Sequence, residues 1–143
     1  METITRQSVL DLLAGDWADY VPRIQALPPA TRAAFLEQQG YKRLTDLLAH
    51  IVAWWEVGLQ AIPRYHSDPT ARLAEIDVDS FNARAVEQVR AVTEAEEIKV
   101  FEAARLKFID AVKQLSDDDF KDERILTQIK WELVNHLEDH RIK

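Results

Sequence analysis

The chain has 143 residues and a mass of 16.5 kDa, enough for one domain with a sizeable core and too little for two. With 47% hydrophobic and 30% charged residues but only three glycines and five prolines, its composition is that of a helical globular protein rather than a sandwich, barrel or disordered segment. A net charge of −7 with scattered Lys and Arg argues against a nucleic-acid partner, and the lack of cysteine excludes disulfides, thiolate zinc sites and a Cys nucleophile, so any metal must be held by His, Asp or Glu.

In chain order, the first predicted helix runs from about Thr3 to Ala26, with Val9, Leu10, Leu13, Trp17, Tyr20, Val21 and Ile24 at helical spacing and Pro28-Pro29 ending it. A short helical turn, PATRAAFLEQQ, follows and closes at Gly40. The second helix spans about Leu44 to Ile62, and Pro63 is expected to stop it. Its run from Leu47 to Trp55 is nearly apolar, but nine residues are far fewer than the roughly 18 that span a membrane. The first residues lack the basic-then-apolar pattern of a signal peptide, so a soluble, cytoplasmic protein with no membrane partner is expected.

The stretch RYHSDPTARLAEIDVD is the one long connection, between helices 2 and 3, and places His66 in solvent. The third helix starts with Asp79 or Ser80 as N-cap, and the capping-box pattern Thr93-Glu94-Ala95-Glu96 marks a kink or restart within it before it ends near Ser116. The fourth runs from about Asp122 to Arg141. These elements predict an all-α fold, a four-helix bundle occupying residues 1–143 as a single domain.

The segment VNHLEDH puts two histidines four apart on the last helix. Taking Ile129 as zero and about 100° per residue, Ile125, Leu126, Leu133, His136, Leu137 and His140 fall within roughly 80° of it, inside the apolar stripe. Glu138 and Trp131 project to the other side. On the second helix, His50 sits at the edge of the stripe formed by Leu44, Leu47, Leu48, Ile51, Trp54, Trp55 and Ile62, and it too can face inward. Three neutral imidazoles are the number and kind needed to hold a divalent ion with an open fourth position. The same histidines could instead be structural, donating to carbonyls or carboxylates in the core, and spacing alone leaves both readings open. A helix-borne zinc protease is excluded, because the residue after the first histidine is Leu137 where H-E-x-x-H needs a glutamate.

Three segments carry a family resemblance: DLLAHIVAWWE (Asp46 to Glu56), IDVDSFNARAVEQVR (Ile76 to Arg90) and NHLEDH (Asn135 to His140). In order and spacing they resemble the ClbS/DfsB family within the DinB-like (YfiT-like) superfamily of four-helix bundles. Tyr41-Lys42-Arg43 departs from the Trp-Ser that often opens helix 2 there. The resemblance implies a zinc- or nickel-type divalent metal on His50, His136 and His140, with Trp54 and Asn82 as pocket residues. It also implies a metal-dependent hydrolase or transferase, with a low-molecular-weight thiol as co-substrate in some members, acting on a small reactive molecule in detoxification or self-protection. The competing class is a non-enzymatic bundle that binds or sequesters a ligand and whose histidines are structural. Trp131, with Val134 beside it, predicts a partly apolar outer face that a homodimer would cover.

Overall fold

The computed structural model describes residues 4–142. Among these every regular element is helical. The first predicted helix is two, α1 (Arg6–Ala14) and α2 (Asp16–Gln25), separated by Gly15 alone; its expected start at Thr3 lies outside the described residues. Thr5 and Ser8 form a reciprocal capping box at the start of α1. Pro22 lies within α2, whose buried face is Trp17, Tyr20, Val21 and Ile24.

PATRAAFLEQQ is more than a turn. It forms α3 (Pro29–Gln38), opened by Pro29 in the first turn, where a missing N–H costs nothing. The helix closes in a Schellman motif: Gly40 takes φ 87°, its N–H donates to Glu37 O (2.9 Å), and Tyr41 N–H donates to Leu36 O (3.0 Å). A left-handed residue here turns the chain sharply and sets Gln39 and Tyr41 on either side of the bend, where glycine meets no steric penalty.

The second predicted helix is α4 (Leu44–Ser67), which continues through Pro63 instead of stopping at Ile62. The lost hydrogen bond is outweighed by packing on either side of Pro63. Ile62 and Tyr65 are buried, and the Tyr65 hydroxyl donates to Gln128 Oε1 at 3.0 Å. His66 is thereby on the helix rather than in a loop. Its ring is largely exposed, yet its Nδ1 lies 2.7 Å from Asp119 Oδ1. Every residue from Leu44 to Val52 is buried, which makes α4 the central element.

The connection, shorter than predicted, is held by Arg124, which donates to the carbonyls of Tyr65, Asp68 and Ala71 while pairing with Asp122. Asp77, not Asp79 or Ser80, caps α5 (Val78–Gln88), accepting from Ser80 N–H. The capping pattern at Thr93 is a true restart: α5 ends, and α6 (Glu94–Gln114) begins with Thr93 Oγ1 accepting from Glu96 N–H. The heaviest interhelical packing is between α4 and α6. A 3₁₀ turn (Asp119–Lys121) then leads into α7 (Glu123–Ile129), a π-helical segment (Lys130–Asn135) and α8 (His136–His140), which run on as one rod over residues 123–140.

The π segment explains a pattern in this last helix. Ile125, Ile129, Leu133 and Leu137 are all buried and spaced strictly by four. On a regular helix each step of four overshoots a turn by about 40°, so the column would drift off the core. The wider i→i+5 turns absorb the excess. Carbonyls in the widened turn take outside donors: Trp17 Nε1–H reaches Leu133 O (3.0 Å) and Trp55 Nε1–H reaches Glu132 O (2.8 Å). Farther on, the Tyr20 hydroxyl donates to His140 O at 2.7 Å. The two indoles meet edge to face with centroids 4.9 Å apart, and Phe101 and Phe108 complete the cluster around Trp55.

Replacing either indole by a phenyl ring removes a buried donor and leaves a gap. Trp17→Phe and Trp55→Phe are each expected to lower unfolding free energy by about 2–4 kcal/mol. Leu106→Ala, on the exposed side of α6, should stay within about 0.5 kcal/mol of wild type. Urea titrations of the three variants measure the contrast.

Candidate metal centre

Two helical elements bring the histidines together. His50 comes from the buried first half of α4, and His136 and His140 from α8. Ring centroids are 5.2 Å apart for His50 and His136, 4.9 Å for His50 and His140, and 5.7 Å for His136 and His140. One nitrogen of each ring lies within 4.8 Å of one nitrogen of the other two, close enough to hold a metal ion. His66 lies elsewhere, on Asp119.

The proton positions follow from the partners. Trp54 Nε1 can only donate, and it lies 2.7 Å from Asn82 Oδ1, which fixes the amide orientation. The same oxygen lies 3.0 Å from His50 Nδ1, so that nitrogen carries the hydrogen and Nε2 has the lone pair. His140 Nδ1 lies 2.8 Å from Gln39 Oε1 and donates to it as that amide is placed, though among the described residues no second bond fixes the Gln39 amide as Trp54 fixes that of Asn82. Both outer bonds therefore turn bare Nε2 atoms inward, and those atoms face each other at 3.1 Å. Two acceptors at that distance repel unless a cation lies between them. With metal–nitrogen bonds near 2.1 Å, ligand nitrogens around one ion sit about 3.0–3.4 Å apart.

A shared proton does not fill that role at neutral pH. Burial, and then the nearby charge of His140, lower His50 from 6.5 to about 4 despite the bond to Asn82. Burial and the two neighbouring imidazoles lower His136 to about 3, and burial lowers His140. His136 Nδ1 is buried without a hydrogen-bond partner. The donor set is thus three neutral imidazoles, two of them bonded to amide oxygens, close enough together to hold a metal ion.

The histidines line one end of a cavity of about 820 Å³, within the size range of small-molecule sites. Trp54 and Asn82 line it too, with Phe81 packed on Trp54 at a centroid distance of 4.4 Å. Tyr41 and Gln39 arrive from the Schellman bend, and Ala74, Glu75 and Ile76 of the connection form the far wall. Trp131, expected on the side away from the histidines, is a wall of this same cavity. Trp131 shares that lining with Gln128, Glu132 and Asn135 of the same rod. It remains 44% exposed while lining the cavity.

Sequence reasoning missed Gln39 and Glu132. Glu132 is buried, accepts from Gln128 Nε2 at 3.3 Å, and lies against Gly58, where an added Cβ would come within 3.0 Å of Glu132 Cγ. Burial raises its pKa to about 8, against the bond from Gln128, so it holds a proton at neutral pH. The signal for it was present: Gln128, Glu132, His136 and His140 form a second column spaced strictly by four, parallel to the apolar one.

Comparison of the chain with protein-family models, curated proteins and solved structures finds no match.

These shifts set a pH profile for the metal-free protein. The histidines protonate near 6.5 when unfolded but only at lower pH when folded. Their contribution is therefore complete above about pH 6.5 and is lost as pH falls toward 4 and 3. Glu132 has the opposite sign: its contribution is complete below its ordinary value of 4.5 and is lost as pH rises toward about 8. Urea titrations should show stability rising from pH 4.5 to 6.5 and falling from 6.5 to 8.5. In Glu132→Gln the alkaline decline should vanish while the acid limb stays; a wild-type profile flat above pH 6.5 would contradict this assignment.

Proposed function

We propose that His50, His136 and His140 hold a zinc- or nickel-type divalent ion and that the chain is a metal-dependent hydrolase or transferase acting on a small reactive molecule in the adjoining cavity. The observation that carries this reading is the 3.1 Å approach of two bare Nε2 atoms, each turned inward by an amide oxygen behind its ring. Such an ion would polarise a substrate oxygen or bring the pKa of a bound water near 7.

The chain's own groups divide the remaining work. Asn82 and Gln39 fix the two rings in the ligating tautomer. Tyr41, Trp54 and Trp131 offer flat faces to hold an apolar body and limit water around the reacting end. The Glu132 carboxyl, on the cavity wall, holds a proton that it can give to a leaving group.

The same geometry supports a place among DinB-like four-helix bundles, close to the ClbS/DfsB pattern. In that reading α1 with α2, α4, α6 and the rod 123–140 are the four bundle helices, α3 and α5 are additions on the connections, and the histidines come from the second and fourth. A cytoplasmic detoxification or self-protection role, with or without a thiol co-substrate, follows from that resemblance alone.

Zinc or nickel at about 100 times its dissociation constant stabilises the folded protein that binds it by about 2.7 kcal/mol, which corresponds to a rise in Tm of roughly 5–10 °C for a chain of this size. That rise is expected for wild type and for His66→Ala, and should be absent in His50→Ala and His140→Ala. Because burial has already lowered the imidazoles, the rise should persist at pH 5.5, where exposed histidines would be losing metal to protons. Thermal melts with and without metal at pH 7.5 and 5.5 check both points; no rise at pH 7.5 would overturn the proposal.

A further inference from the structure

Asn82 has a second half that its bond to His50 leaves free. Its amide oxygen accepts from Trp54 Nε1 at 2.7 Å and lies 3.0 Å from His50 Nδ1, which occupies both of its lone pairs. An indole nitrogen can only donate, so the amide cannot be turned round, and Nδ2 with its two N–H donors is the other end. No hydrogen bond to a described residue uses Nδ2. Among the described residues the side-chain atoms buried without a partner are Arg6 Nε and His136 Nδ1, so Asn82 Nδ2 reaches open space, and the space that Asn82 borders is the histidine cavity. Gln39 and Asn135 also bring amides to the lining, but no donor-only partner among the described residues fixes which end they present.

The neighbours of this fixed donor are apolar. On α4, His50, Trp54 and Val57 follow at i, i+4 and i+7, one face of the helix, and all three line the cavity. On α5, Val78 and Asn82 are likewise four apart and both line it. The Trp54 N–H is already given to Asn82, so that indole adds only ring surface, and Phe81 packs on it. A ligand lying on this wall strips water from the two Asn82 N–H groups, and only an acceptor of its own replaces that water.

From this arrangement we infer that Asn82 is a specificity-determining residue: the cavity takes molecules that carry a carbonyl oxygen, as in a ketone, ester or amide, on an apolar body, and Asn82 Nδ2 receives that oxygen. The inference rests on reading this cavity as the substrate site, but not on the ion, and it names a substrate class that the metal reading by itself leaves open. Asn82 lies at the Nδ1 edge of His50, away from the Nε2 that faces His140. The oxygen it holds is therefore a binding oxygen, separate from an atom that reacts at the histidines.

Asn82→Asp is the discriminating substitution, because a carboxylate still accepts from Trp54 and His50 but offers no donor. Two probes of one shape, 1-acetonaphthone and 1-(1-naphthyl)ethanol, are titrated calorimetrically into chelator-treated full-length protein at pH 7.5. The ketone can only accept, whereas the alcohol can also donate. Wild type should bind the ketone at least as tightly as the alcohol. In Asn82→Asp the ketone should weaken at least about tenfold and the alcohol less than about threefold, so that the preference inverts. In wild-type protein the Asn82 side-chain N–H signals in proton–nitrogen NMR spectra should move when the ketone is added, which reads the contact without any substitution. Ketone affinity unchanged by Asn82→Asp, an equal loss of both probes, Asn82 signals that stay in place, or no probe binding at millimolar concentration would each overturn the inference. Because no metal is present and no activity is read, failure here is separate from failure of metal binding.

Discussion

Two indole N–H groups hold the last helix in its widened turn, and the site depends on that turn. Trp17 and Trp55 come from different helices and donate to successive carbonyls, Leu133 and Glu132. A carbonyl buried in a π segment without such a donor would cost about 1–3 kcal/mol. With the donors in place, two four-spaced columns run straight along the helix. Ile125, Ile129, Leu133 and Leu137 stay on the core. Gln128, Glu132, His136 and His140 stay on the cavity. In a regular helix the drift of about 40° per step would carry one end of each column away from its face.

The burial that makes the histidines good ligands also makes them costly when empty. Neutral imidazoles in a half-buried setting resist protonation, which leaves their lone pairs available at neutral pH. His50 spends its Nδ1–H on Asn82, so it cannot relieve the Nε2–Nε2 repulsion by changing tautomer without breaking that bond, while His140 Nδ1 is bonded to Gln39. Trp54 adds a lock on the first of these, since its donation holds the Asn82 oxygen toward His50. Gly40 matters to the second, because its left-handed turn is what places Gln39 at the end of α3 facing the cavity.

Much of this was legible in the residues. Helical spacing reveals the elements, and the angular placement of His136 and His140 with His50 on the edge of a long apolar stripe brings the three together. What escaped detection depends on tertiary contacts. Pro63 is a helix breaker by its own chemistry, and only the packing of Ile62, Tyr65 and Gln128 shows why α4 passes through it. Trp131 looks solvent-facing on a regular helix, yet it lines the cavity together with Ala74, Glu75 and Ile76 of the connection, which are distant in sequence. Gln39 has no sequence signal as a ligand's partner, since the bond it makes spans 101 positions. The π segment did leave a trace, in the strict spacing of four, which regular-helix reasoning reads as ordinary amphipathicity.

The central claim is that His50, His136 and His140 act together as ligands of one ion. X-ray absorption of zinc-loaded protein, prepared without a histidine tag, reads the ion's neighbours directly. The account predicts one zinc per chain with three imidazole nitrogens at about 2.0–2.1 Å and a lighter fourth ligand. Fewer than three imidazoles around the ion, or the same spectrum from the His50→Ala/His140→Ala double variant, would contradict it.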